Sequence, residues 1–133
     1  MPESRRSFLS ALSAASYSRV QGANDRVQLG LIGCGLIGLR HLADFKALDD
    51  CQISAVCDVY QARTGQARSG AGPGAKEYHD FRRLLEDKQV DAVVISTPDH
   101  WHAPQTIMAC AAGKDVFVEK PMTLFVKEGR WMT

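Results

Sequence analysis

Apolar positions along the chain fall into two alternating patterns. Residues 27–32, 52–57, 91–96 and 115–119 read as strands. The last two, centred on Val93-Val94-Ile95 and Val116-Phe117-Val118, are near-continuous apolar runs of the kind buried on both faces of a parallel sheet. Between the strands the spacing lengthens to three and four. Over 36–48 it places Leu36, Leu39, Ala43 and Ala47 on one helical stripe, with Asp44 and Lys46 turned to solvent. A short helix is expected over 61–68, followed by a glycine-rich loop over 70–74 and a short strand over 75–78. Asp80 is placed to cap a helix carrying Phe81, Leu84 and Leu85. Residues 101–112 form the next helix, with Pro104 in its first turn and Gly113 just past its end, and a last helix covers 123–132. Strands alternating with helices in this way predict one α/β domain built on a doubly wound parallel sheet.

The junction between the first strand and the first helix carries the sharpest chemistry. Gly33-Cys34-Gly35-Leu36-Ile37-Gly38 has glycines at relative positions 1, 3 and 6. The first allows a tight turn, the second lets backbone approach a pyrophosphate, and the third lets helix and strand pack closely. Leu36 and Ile37 open the helix, whose unpaired N–H groups and positive dipole end suit phosphate. Asp58 stands 20 residues past the last glycine at the tip of the second strand, where a carboxylate accepts from ribose hydroxyls. This favours NAD. The charge disfavours the 2′-phosphate of NADP, although Arg63 lies close enough in sequence to complicate that preference. The alternatives are a structural turn that binds nothing and a site for a nucleotide-like methyl donor.

Composition narrows the picture without redirecting it. The chain has 133 residues, 45% of them hydrophobic, enough for one core. Sixteen basic against fifteen acidic side chains leave a net charge of +1, which points to neither nucleic acid nor an anionic membrane as partner. No apolar run reaches the length of a membrane span. Cys34, Cys51, Cys57 and Cys110 show neither C-x-x-C nor metal-ligand spacing and read as free thiols. Residues 1–26 differ from the rest, being rich in Ser, Ala and Arg. Within them Ser4-Arg5-Arg6-Ser7-Phe8-Leu9 resembles a twin-arginine export signal followed by small residues over 10–18. Export to the periplasm and a plain N-terminal arm on a cytoplasmic protein both fit.

Two further clusters fall at strand ends, where such sheets bind ligands. Ser96-Thr97-Pro98-Asp99-His100-Trp101-His102 follows the 91–96 strand, and Glu119-Lys120-Pro121 closes the 115–119 strand. His100 and His102 lack a third ligand at matching spacing, so no metal site is expected. Thr97 and Pro98 are expected along the cofactor trough, with one or both imidazoles toward the substrate side. Asp99 as a helix cap and Trp101 as packing are the plainer readings, as is a packed or surface role for His41. Lys120, fixed by the following proline, can reach a nicotinamide ribose or a substrate hydroxyl, or else is a surface lysine.

Taken in order, the glycine turn, Asp58, Thr97-Pro98-Asp99-His100-Trp101-His102 and Glu119-Lys120-Pro121 resemble the N-terminal domain of the Gfo/Idh/MocA oxidoreductase family from Val27 onward. The resemblance implies a Rossmann domain binding NAD or NADP in enzymes that oxidise sugar or cyclitol hydroxyls or reduce the matching ketones. It implies that Lys120 contacts substrate and cofactor and takes part in catalysis, that Glu119 supports the site, and that Thr97 and Pro98 touch cofactor, with His100 beside them. His102 matches the histidine that closes the T-P-N-x-x-H pattern and joins Lys120 as a catalytic candidate. The peptide before Pro121 is often cis in the family. Asp99 departs from the usual Asn.

The resemblance also implies a second, mixed α/β domain carrying the substrate pocket and an Asp and His for proton transfer. The chain stops at Thr133, directly after the helix read over 123–132, so the Rossmann part is expected to be incomplete at its C-terminus and the chain a fragment. Three function classes follow. The favoured one is a hydride-transferring dehydrogenase acting on a small carbohydrate-like molecule. The others are a glycosidase that uses bound NAD in a transient oxidation and elimination cycle, and a cofactor-binding module without turnover. A homo-oligomer is an expectation only for the completed architecture.

Overall fold

The computed structural model describes residues 26–133; the twin-arginine-like stretch lies outside the described residues. Five parallel strands, β1 (Val27–Ile32), β2 (Cys51–Cys57), β3 (Lys76–Tyr78), β4 (Ala92–Ile95) and β5 (Asp115–Val118), form one sheet in the order β3-β2-β1-β4-β5. Five helices alternate with or follow them: α1 (Leu36–Lys46), α2 (Gln61–Ala71), α3 (Phe81–Leu85), α4 (His102–Ala111) and α5 (Val126–Met132). A 3-10 turn, Asp99–Trp101, leads into α4. The order reverses direction between β1 and β4, which opens a crevice at their C-terminal ends.

The sheet carries a core on each face. Leu29, Leu31, Val56 and Val94 pack with Leu42 of α1 and Ala67 of α2, whereas Ile32, Val93 and Ile95 pack with Leu84 and Leu85 of α3 and Ala109 of α4. In β2 the side-chain alternation is broken once. Leu29 pairs with Ile53 but Gly30 pairs with Ala55, so Ser54 is an extra residue. The bulge puts Ile53 and Val56 in one core and Ala55 and Cys57 in the other, because an inserted residue inverts the parity of everything after it. It thereby sets the direction in which the end of β2, and Asp58 beyond it, leaves the sheet.

Several expectations need correction. The inward face of α1 is Gly38 and Leu42, flanked by the half-buried Leu39 and Phe45. Leu36 is 86% exposed, and Ala43 and Ala47 also face solvent. A Cβ on Gly38 would stand 1.9 Å from the Gly33 carbonyl oxygen, so this close contact, and not the leucine-alanine periodicity, sets the rotation of the helix. Helix α2 runs through Gly70 to Ala71 and stops only at Gly72, whose φ of 123° no helix accommodates. Strand β5 is the sheet edge, so Phe117 remains 49% exposed instead of buried on both faces. Helix α5 starts at Val126, after Glu128 Oε2 accepts from the Leu124 and Phe125 amides at 3.0 Å. Asp80 caps α3 as expected, accepting from the Arg82 amide at 3.0 Å.

The outer strand β3 is fastened by Asp87. Its Oδ2 accepts from Lys76 Nζ and Tyr78 Oη at 2.8 Å, and its Oδ1 accepts from the Gln89 amide at 3.0 Å. The Lys76 bond foremost, with the Gln89 and Tyr78 bonds, holds the Asp87 carboxyl down at about 2, whereas burial and the Asp87 bond push Tyr78 up to about 12. A carboxyl depressed by folding adds stability above its unfolded pKa and loses it as pH falls through the folded one. The wild-type chain is therefore expected to lose roughly 2 kcal/mol from this group between the ordinary carboxylate range and its folded value. Urea unfolding followed from mildly acidic to strongly acidic pH should show a smaller loss for Asp87→Asn; equal slopes in the two proteins would remove Asp87 from the account.

Candidate functional site

The site is laid along the C-terminal ends of β2, β1, β4 and β5. Gly33 turns the chain out of β1 with a φ of 92°, and its N–H donates to the Cys57 carbonyl at 2.8 Å. A Cβ there would stand 2.7 Å from the Ser96 carbonyl carbon and 2.8 Å from the Thr97 nitrogen. Gly33 is thus required by the chain's own packing, and Gly38 by its contact with Gly33. Gly35 differs. A Cβ on it would meet nothing closer than Arg63 Nη1 at 3.9 Å, and its φ of −75° suits any residue. Nothing in the protein's packing needs glycine at this position.

Helix α1 starts at that open point without a side-chain cap. The amides of its first turn, at Leu36, Ile37 and Gly38, have no helical carbonyl to donate to, and no acidic residue occupies the turn. The positive end of the helix is therefore free for an anion, with the exposed Arg63 guanidinium alongside, 5.9 Å from the Tyr60 ring centroid.

Asp58 proves to be part of the turn's own framework. Its Oδ2 accepts from the Cys34 amide and its Oδ1 from the Tyr60 amide, both at 2.8 Å. Each oxygen keeps a second acceptor direction, and the residue lines a cavity of about 490 Å³. Gly33, Thr97 and Pro98 share that cavity, and Val59, Phe81 and Trp101 give it apolar walls. Phe81 and Trp101 meet edge to face at 6.2 Å. Gly35, Leu36, Ile37, Gly38, His100, Glu119 and Lys120 stand outside it.

Sequence reasoning assigned no role of its own to Ser96. Ser96 Oγ is buried at the cavity wall with no hydrogen-bond partner among the described residues. Burial foremost pushes the Cys34 and Cys57 thiols up to about 12, and Cys34 Sγ donates to the Cys57 carbonyl at 3.4 Å.

Beyond β4, Thr97 Oγ1 donates to Gln105 Oε1 at 2.6 Å, and the Glu119 amide donates to the Ile95 carbonyl at 3.0 Å, bringing the Glu119-Lys120-Pro121 turn beside the Ser96-Thr97-Pro98 turn. His102 does not open onto the trough. It is 2% exposed, with Nδ1 2.6 Å from the Pro121 carbonyl and Nε2 2.7 Å from the Thr97 carbonyl. A neutral imidazole carries one N–H and serves one of these carbonyls at a time. Its buried ring packs between the two turns and donates to one of them. His100 is exposed, its Nδ1 3.9 Å from Asp99 Oδ1. Asp99 accepts from the next amide, His100, at 3.0 Å and does not cap α4. The Lys120–Pro121 peptide is cis. Lys120 is exposed, and its amide donates to Glu119 Oε2 at 2.9 Å. Among the described residues no group of three potential ligands is arranged for a metal ion, and no helix is long and apolar enough to cross a membrane.

Adjacent parallel strands lie about 4.8 Å apart, so three strand spacings from Asp58 on β2 to Lys120 after β5 span roughly 14 Å. That is the reach of an extended two-part ligand lying across the strand ends.

Residues 27–133 match a family described as an oxidoreductase family with an NAD-binding Rossmann fold. A glycosyl hydrolase family 109 protein from Shewanella baltica is 38% identical over 112 residues, which are 78% of this chain and 24% of that protein. Scyllo-inositol dehydrogenase from Lactobacillus casei, solved with NAD(H) and scyllo-inositol, superposes with a TM-score of 0.75 at 27% identity, covering 80% of this chain and 32% of the other. A 3-ketoreductase from Actinomadura kijaniata, solved with NADP, gives a TM-score of 0.74 at 28% identity over 80% and 34%. The chain spans about a quarter of the length of the curated relatives it matches. The five-stranded parallel sheet, the glycine turn with its open middle position and the match over residues 27–133 make the chain a member of the Gfo/Idh/MocA oxidoreductase family, with its NAD-binding Rossmann fold.

Proposed function

We propose that this chain provides the cofactor half of an enzyme that moves hydride between a nicotinamide cofactor, NAD in preference to NADP, and a hydroxyl or ketone of a sugar- or cyclitol-like substrate. The observation that carries the reading is Gly35, a glycine the protein's packing does not need, between two that it does. The residues suit the group: the pyrophosphate belongs on the Gly35, Leu36, Ile37 and Gly38 amides beside Arg63, the adenosine ribose on Asp58, and the adenine between the cavity's apolar walls. Bound nicotinamide supplies the hydride chemistry. In this reading Lys120 holds the proton at the substrate oxygen, Thr97 and Pro98 shape the trough, and His102 positions the turns that carry them.

Calorimetric titration of the 133-residue chain with NADH and NADPH tests the assignment. NADH is expected to bind more tightly, and Asp58→Ala to weaken NADH by about ten- to a hundred-fold, the range for losing bonds to a charged acceptor, with a smaller change for NADPH. No binding by a chain that is folded by circular dichroism would overturn the reading. A second reading rests on the glycosyl hydrolase family 109 relatives: the same cofactor site serving a glycosidase that regenerates its NAD in each cycle. In a protein carrying the remaining length of those relatives, net conversion of free NAD marks the dehydrogenase, and turnover without it marks the glycosidase.

A further inference from the structure

We propose that His41 is a positioning residue for Lys120, acting through Glu119 to couple the phosphate-binding helix to the lysine turn. The inference rests on the cofactor reading above. His41 lies on α1, one turn beyond Gly38, and its Nε2 stands 2.6 Å from Glu119 Oε1. An ionised carboxylate only accepts, so the imidazole donates. The other carboxylate oxygen, Oε2, accepts from the Lys120 amide at 2.9 Å. Glu119 therefore divides its two oxygens between the helix that begins at the glycine turn and the backbone of the lysine. The His41 bond, then the Lys120 amide, holds the Glu119 carboxyl below the ordinary carboxylate range.

The imidazole has little freedom to abandon this bond. Its edge meets Phe117 of β5 at 5.4 Å and 74°, Phe45 of α1 lies 6.2 Å away, and the two phenyl rings meet each other at 5.8 Å and 82°. Lys120 depends on such outside support. Its ammonium makes no hydrogen bond or ion pair among the described residues, so its placement follows from its backbone alone. That backbone is held before the lysine by Glu119 and after it by His102 at the Pro121 carbonyl. One histidine comes from the helix of the glycine turn and the other from the helix after Thr97-Pro98. A ligand seated on the first turn of α1 thus bears on Lys120 through two hydrogen bonds in series.

A purely structural ion pair predicts something different: loss of His41 would loosen β5 against α1 without altering how Lys120 answers the cofactor. The test follows the Lys120 amide by nitrogen-proton NMR in the labelled 133-residue chain, free and with NADH at concentrations that saturate each protein. In the wild type the amide is expected at low field, as a donor to carboxylate, and to shift on NADH binding. His41→Phe keeps the aromatic packing and removes the donor; it is expected to move the free amide upfield and to lose most of the NADH response. His41→Gln, which restores a donor, is expected to recover both. Retention of the wild-type shift and response in His41→Phe overturns the proposal. If that variant does not fold, Glu119→Gln serves instead, because one amide oxygen cannot replace both carboxylate oxygens; an unchanged Lys120 response there overturns it equally. Should wild type bind no NADH, the cofactor reading fails by itself, and the free-state Lys120 shift in the variants still decides whether His41 holds the turn through Glu119.

Discussion

Replacing Gly38 with alanine is expected to cost the fold about 3 kcal/mol, the upper end of the usual range for overpacked sites, and to abolish NADH binding. The added Cβ would sit 1.9 Å from the Gly33 carbonyl oxygen and 3.0 Å from its carbon. Neither partner can move cheaply. Gly33 is pinned by its bond to the Cys57 carbonyl and by the nearness of the Ser96 and Thr97 backbone. Strand β1 cannot yield because it is the middle of the sheet, paired on both sides. Helix α1 must lift instead, which withdraws Leu42 from its core and turns the first-turn amides away from the crevice. For a domain of this size each kcal/mol moves Tm by several degrees, so a drop of roughly 10 °C is expected. Calorimetric melting and an NADH titration of the variant check both parts. A Gly38→Ala chain that melts and binds like wild type would mean that helix and turn are not in the contact described.

The architecture was legible where the signal is local. The apolar runs marked four of the five strands to within a residue or two, because burial in a parallel sheet acts on every position of a strand. The glycine spacing marked the turn because φ and close approach are properties of single residues. What escaped was set across the sheet. The stripe through Leu36, Leu39, Ala43 and Ala47 was a plausible apolar face, yet the Gly38–Gly33 contact fixes the helix phase and leaves Leu36 at the surface. The parity change at Ser54 appears only when β2 is laid against β1. Val116-Phe117-Val118 reads like a central strand, and only strand order shows that it is an edge.

The candidate site divides in the same way. The spacing of Asp58 from the turn suggested a ribose contact, but its two bonds to the Cys34 and Tyr60 amides depend on where β2 ends relative to β1. His41 and Glu119 are 78 residues apart in sequence, and no local rule connects them. His102 is a catalytic candidate by motif; its burial between two carbonyls belongs to the packing of α4 behind both turns. Side chains that hold the site are chosen by neighbours distant in sequence, whereas backbone that receives a ligand is written in consecutive residues.

Alanine at Gly35 should separate folding from binding, which Gly38 cannot do. The new Cβ would meet only Arg63 Nη1, at 3.9 Å, an ordinary contact with the tip of a mobile side chain, and the local φ of −75° is open to any residue. Alanine is a poorer helix N-cap than glycine, so the expected stability change stays within about 1 kcal/mol. On the proposed cofactor reading, the same methyl stands between a pyrophosphate and the Leu36, Ile37 and Gly38 amides. Displacing a ligand from that surface at the usual cost of steric overlap, about 1–3 kcal/mol, corresponds to a loss of affinity of roughly ten- to a hundred-fold. The expected result is a variant with near-wild-type melting and strongly weakened NADH binding in the same titration. Unchanged binding would place the cofactor elsewhere on the strand ends. Matched losses of stability and binding would mean that the fold itself needs the middle glycine. Only the separation of the two marks Gly35 as backbone kept bare for a ligand.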